Sequence, residues 1–194
     1  ETLAPELAAI STTLGKTLAT QGRFQESCDV LERALKKELS DEVRVEVLQK
    51  FGETYVRLGA NEKADAIWAE ALRRYSEDAD VMSQIAEVQA NAGRYRQAAQ
   101  LFAELEAAAR ERRDVESEIE FAVASGDMKM RLGEQEAAIA DFERAVEKLA
   151  PTHWLFKSLR DRVEYVLLQR SDYDAALDYY RRIIEKSPTD LDAR

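Results

Sequence analysis

All seven glycines of this sequence fall at one of two places in a pattern that recurs along the chain. The first place heads an offset series: Gly22, Phe24, Ser27 and Leu31; Gly59, Asn61, Ala64 and Trp68; Gly93, Tyr95, Ala98 and Phe102; Gly133, Gln135, Ala138 and Phe142. Ser171, Tyr173, Ala176 and Tyr180 repeat it with serine at the head. The second place lies seven residues before a head, at Gly15, Gly52, Ala86 and Gly126. Successive heads are 37 (22 to 59), 34 (59 to 93), 40 (93 to 133) and 38 (133 to 171) residues apart. A period of that size makes each unit one supersecondary element that buries its apolar face only by stacking on a neighbour.

The residues between the glycines say which element. Val43, Val47, Leu48, Phe51, Tyr55 and Leu58 follow the i, i+3, i+4 spacing of one helix face. After Gly59 the spacing resumes with Ala64, Ile67, Trp68, Ala71 and Leu72. A glycine between two such helices suits a left-handed C-cap, where a Cβ would clash. Small Gly52, Ala64 and Ala71 let the helices approach, and large Tyr55 and Trp68 fill the space that is left. With only 7 glycines and 3 prolines in 194 residues, and alanine, leucine and glutamate abundant, an all-α chain follows.

The pattern resembles the tetratricopeptide repeat. The second unit carries it most fully, with Leu48, Phe51, Gly52, Tyr55, Gly59, Ala64, Trp68 and Ala71. The fifth keeps Val163, Leu167, Tyr173, Ala176, Tyr180 and Pro188 but has Glu164 at a usually small position. The fourth departs at Ser125 and Lys129, where apolar residues are usual, and at Gln135. The resemblance implies a right-handed α-solenoid of antiparallel helix pairs. It reads as one array over 1–194, with repeats near 3–38, 41–75, 78–112, 115–149 and 152–186. Residues 189–194 read as the start of a further helix, and a chain beginning at Glu1 reads as an excised or processed segment. The apolar face of the fifth pair would then invite a sixth repeat or a second copy.

Chemistry leaves few traces. A formal charge of −10 and a pI near 4.8 disfavour nucleic acid, which needs clustered lysine and arginine. No apolar stretch is long enough to insert in a membrane. The single cysteine, Cys28, lies in an apolar helical run and reads as a small core residue. The single histidine, His153, has no second histidine or cysteine to share a metal or orient a base, so a surface or helix-capping role is the reading. The acid pairs Glu104 and Glu106, and Glu116 and Glu118, read as solvated helix faces. Lys36, Lys37, Arg73, Arg74, Arg110, Arg112, Arg113, Arg181 and Arg182 lie near the ends of second helices, where they complement the macrodipole. With every glycine assigned to packing or capping, no phosphate loop remains. The reading is noncatalytic, with no cofactor and no metal.

A binding face remains. In arrays that this chain resembles, the first helix of each pair lines the concave groove. Residues at i, i+3 and i+7 on those helices are Ala9, Thr12 and Lys16; Glu46, Gln49 and Glu53; Asp80, Ser83 and Glu87; Glu120, Val123 and Asp127; and Ser158, Asp161 and Tyr165. This stripe holds seven acids and one base, against 38 acids and 28 bases in the whole chain. An acidic groove suits a partner protein or peptide with a basic segment. A solvated face that happens to be acidic accounts for the same counts, and Lys50, Arg57, Arg131 and Arg162, off the stripe, blunt the field. The lysine, asparagine and arginine of a carboxylate clamp are not present. Trp154 reads either as packed on the preceding pair, the commoner fate, or as an anchor for a partner. The expected function is a protein-protein interaction scaffold. The alternative is a periplasmic segment of a bacterial exopolysaccharide export protein, touching a cationic polymer or a partner enzyme; groove aromatics would favour sugar, and Tyr165 is the candidate.

Overall fold

Ten helices run through the computed structural model, which describes residues 3–186, with side chains from Ala9 onward. They are α1 (Leu3–Thr20), α2 (Phe24–Leu35), α3 (Asp41–Arg57), α4 (Asn61–Arg74), α5 (Ala79–Asn91), α6 (Tyr95–Arg112), α7 (Val115–Leu132), α8 (Gln135–Lys148), α9 (Trp154–Gln169) and α10 (Tyr173–Lys186). The described residues contain no strand. Pro188 and the 189–194 segment lie outside the described residues. The helices group into two compact units, Glu1–Arg94 and Tyr95–Arg194.

Each head residue ends a first helix. At Gly59 (φ 73°), the amide of Gly59 bonds the Val56 carbonyl at 2.9 Å and that of Ala60 bonds Tyr55 at 2.9 Å. This paired closure satisfies carbonyls that the helix end would otherwise leave open. Ser171, the one head that is not glycine, adopts the same left-handed backbone at φ 55°. That conformation costs an L-residue roughly 1–2 kcal/mol, and part of the gain on removing it is lost to glycine's larger unfolded entropy. Ser171→Gly is therefore expected to stabilise unit 2 by about 0.5–1 kcal/mol, read from urea denaturation midpoints. A loss of stability would sink this account of the turn.

In unit 1, α1 pairs with α2 and α3 with α4, while α3 also packs on α1, α2 and α5. The junction between the first two pairs buries Cys28 and Leu31 of α2 against Val47 and Phe51 of α3. Burial pushes the Cys28 thiol up to about 11, so it is a core residue held as the thiol. The second-place glycines are where first and second helices touch most closely. A Cβ on Gly52 would overlap the indole of Trp68, and one on Gly15 would lie 2.6 Å from Leu31 Cδ2.

In unit 2, α6 packs on α7, α7 on α8, α8 on α9 and α9 on α10. One core gathers Phe142 and Val146 of α8, Leu159 and Val163 of α9, and Tyr179 and Ile183 of α10. Gly126 receives the Phe142 ring, which would sit 2.5 Å from an added Cβ. In the fifth pair Glu164 and Tyr180 hold the positions of Gly126 and Phe142, and a side-chain hydrogen bond joins them. Burial first, then that bond, raises the Tyr180 hydroxyl's pKa. The departure at Glu164 thus replaces close packing with a polar contact.

The solvated reading of the acid pairs is corrected for one member of each. Glu106 and Glu118 are buried, as is Asp141, and all three are held in one chain of charges across α6, α7 and α8. Lys129 donates to Asp141 at 2.6 Å, and Arg144 bridges Asp141 at 2.7 Å to both carboxylate oxygens of Glu106 at 2.9 Å. Arg110 bonds Glu106 at 2.6 Å and Glu118 at 2.7 Å, and Lys148 pairs with Glu118 at 3.2 Å. The Arg110 bond, joined by Lys148, holds the Glu118 carboxyl below the usual carboxylate range against the opposing effect of burial. Lys129, out of place in the sequence pattern, is explained as the partner of buried Asp141. Arg73, Arg74, Arg110 and Arg112 do lie in last helical turns. Arg181 and Arg182 do not, because α10 runs on to Lys186. They pair instead with Asp178 and Glu143 at 2.7 and 2.6 Å.

Candidate functional site

The first-helix stripes are built locally by helix periodicity, and parts of them line a recess in each unit. In unit 1, Glu46, Gln49 and Glu53 of α3 line a recess of about 410 Å³ together with Lys16, Lys50 and Val88. Lys16 pairs with Glu46, Lys50 with Glu53 at 2.6 Å, and Gln49 Nε2 donates to Gln84 Oε1 of α5 at 3.0 Å. Asp80 and Glu87 of α5 are exposed and make no ion pair among the described residues, and Ser83 between them is half-buried. Thr12, placed on the open stripe by the sequence spacing, is instead buried at 3% exposure, and the equivalent Gln49, Ser83 and Val123 are half-buried.

In unit 2, Asp127 of α7 and Ser158, Asp161 and Tyr165 of α9 line a recess of about 450 Å³. Its floor and sides are apolar: Met130, Phe142 and Val166. Arg162 crosses it, bonding Asp127 at 2.6 Å while its guanidinium lies 5.7 Å from the Phe142 ring centre. Burial raises the Asp127 carboxyl above its usual range, and Arg162 and Arg131 pull it back. Asp161 is bonded by its neighbour Arg160 at 3.0 Å, and Arg160 is itself buried. Glu120 and Val123 do not line the recess; Glu120 is exposed and without an ion pair among the described residues.

Four of the seven stripe acids, Glu46, Glu53, Asp127 and Asp161, are therefore charge-compensated. Lys50 and Arg162, set off the stripe by the sequence reading, are two of the compensating bases. The stripe acids without an ion-pair partner among the described residues are Asp80, Glu87 and Glu120. Phe142, Met130 and Val166 went unnoticed in the sequence because they read as ordinary core. The one available signal was that Asp127 and Tyr165 lie 38 residues apart, the spacing of heads Gly133 and Ser171.

Two aromatics stand out from α9. Trp154 is 78% exposed and Tyr165 is 62% exposed. The packed alternative for Trp154 is corrected by its exposure: it is the first residue of α9, and its ring centre lies 5.8 Å from that of His153. His153 is the N-cap of that helix, its Nδ1 accepting the Leu155 amide at 3.2 Å. No group of three histidine, cysteine or acidic side chains among the described residues could hold a metal ion. No described helix is long and apolar enough to cross a membrane.

Comparison with known proteins gives the architecture its name. The tetratricopeptide repeat pattern matches residues 119–147, spanning α7 and α8. A tetratricopeptide repeat protein from Parabacteroides merdae is similar in fold with a TM-score of 0.57 at 16% identity, over 97% of this chain and 70% of that one. MamA from Desulfovibrio magneticus RS-1, residue 41 to the end, gives 0.52 at 14% identity over 97% and 99%. A MamA double mutant gives 0.53 at 14% identity over the same shares. No curated protein sequence matches. At such identities the likeness is one of fold: residues 119–147 match a tetratricopeptide repeat, and the helical chain is similar in fold to tetratricopeptide-repeat structures.

Proposed function

We propose that the chain is a noncatalytic protein-protein interaction scaffold whose first-helix faces hold an extended partner segment with basic residues. The observation that supports this most is the pair of recesses on those faces, lined by side chains that the stripe spacing selects. The uncompensated acids Asp80, Glu87 and Glu120 supply the attraction for basic residues, and a field of that kind acts mainly on association rate and partner choice.

The test is photocrosslinking in the source cell, with p-benzoylphenylalanine replacing Ser83 or Ser158 on first helices, and Ala69 or Ala140 on exposed positions of second helices. Protein adducts are expected from Ser83 and Ser158, with yields that fall as salt rises. Equal yields from Ala69 and Ala140, or none from either set, would remove the reading. The polysaccharide alternative draws support from Trp154, which joins Tyr165 as an exposed aromatic on α9. Adducts that stain for carbohydrate and contain no protein would favour it.

A further inference from the structure

The recess of unit 2 differs in kind from that of unit 1. Its floor is Phe142, Met130 and Val166, and Tyr165 forms an exposed wall. The ring of Phe142 lies where it does because Gly126 has no side chain to displace it. The positive charge inside the recess is already committed, since Arg162 is bonded to Asp127 at 2.6 Å. Two carboxylates in and beside it stay in contact with solvent. The Asp161 side chain is 49% exposed, although Arg160 is bonded to it from the buried side. Glu120 is exposed on α7, two helical turns before Asp127, or roughly 10 Å along the axis.

From these features, and resting on the scaffold reading above, we propose that this recess is an anchor site for a bulky apolar side chain, preferably aromatic, followed in the partner by lysine or arginine. The apolar side chain enters against Phe142 and Met130 and lies along Tyr165, where a buried aromatic contributes most of the binding energy. The basic residue stays at the rim against Asp161, with Glu120 further along α7, where charges act through solvent and choose between partners rather than supply most of the affinity. The occupant is thus a two-residue signal within an extended peptide. An acidic neighbour would be repelled by the same two carboxylates.

The test uses the full chain and three capped dipeptides: acetyl-Trp-Arg-amide, acetyl-Trp-Glu-amide and acetyl-Gly-Arg-amide. Methyl NMR follows Met130 and Val166 in this recess and Val88 in the recess of unit 1. Saturable shifts at Met130 and Val166 are expected with Trp-Arg in the millimolar range. Trp-Glu should bind about fivefold more weakly, the scale of two exposed charge contacts changing sign. Gly-Arg should leave both methyls in place. Tyr165→Ala should weaken Trp-Arg binding, and Glu120→Gln with Asp161→Asn should make Trp-Arg and Trp-Glu equal, with backbone spectra showing that each variant is folded. Unmoved methyls, or equal binding of Trp-Arg and Trp-Glu to the parent chain, would overturn the anchor. If Val88 alone responds, the anchor fails while the first-helix reading stands; if crosslinking from Ser83 and Ser158 also fails, both fall.

Discussion

Gly52→Ala should destabilise unit 1 by about 3 kcal/mol, the upper end of what overpacking a core methyl costs. The added Cβ falls on the indole of Trp68, which is 1% exposed and a rigid plane rather than a flexible chain end. Relief requires α3 and α4 to part, which would uncover Ala64 and Ala71 as well, both buried now. Urea denaturation followed by tryptophan fluorescence measures it, with far-ultraviolet dichroism reporting whether the helices go with it. The companion Gly15→Ala should cost less, because the added Cβ meets Cδ2 and Cγ of a rotatable leucine side chain, Leu31, rather than a rigid ring. If Gly52→Ala changed stability by less than about 0.5 kcal/mol, ordinary surface scatter, the close approach of α3 and α4 would not be what organises the pair.

Glu106→Ala is expected to cost unit 2 about 2 kcal/mol. Breaking a buried ion pair typically costs 3–5 kcal/mol, because the surviving charge is left without a partner. Here the survivors, Arg110 and Arg144, have side chains 51% and 40% exposed, so water recovers part of the loss. Arg144 also keeps Asp141 and Arg110 keeps Glu118. The same chain of charges makes stability depend on acid. The Glu118 carboxyl sits below its unfolded value in the folded protein, so its contribution is present above the unfolded pKa. It is lost as pH falls through the folded value. Glu118→Gln should therefore lower stability near neutral pH and flatten the decline between about pH 6 and pH 3. A variant that tracked the parent's acid limb would show that Glu118 does not carry it.

Much of the fold was legible because it is written in short distances along the chain. A helix face repeats every three or four residues, and the left-handed turn at Gly59 needs a residue without a Cβ at one position. Both can be read without knowing what packs where. The first-helix stripe was legible for the same reason, and it placed Glu46, Gln49, Glu53, Asp127, Asp161 and Tyr165 on recesses.

Tertiary structure decided which of those charges is open to a partner. Arg162 meets Asp127 from 35 residues away, and Arg144 meets Glu106 from 38. Ion pairing of this kind depends on side-chain reach between neighbouring helices, to within an ångström or so, and a helical period carries no such information. The same limit hid Glu106 and Glu118, which have the spacing of surface acids yet lie buried among arginines. It also hid the exposure of Trp154, the first residue of α9. Local backbone and spacing along the chain were enough for the helices and for the pairing of α1 with α2, α3 with α4, α7 with α8 and α9 with α10. That Arg162 neutralises Asp127, and that an apolar recess opens beside Tyr165, was decided only when helices more than thirty residues apart came into contact.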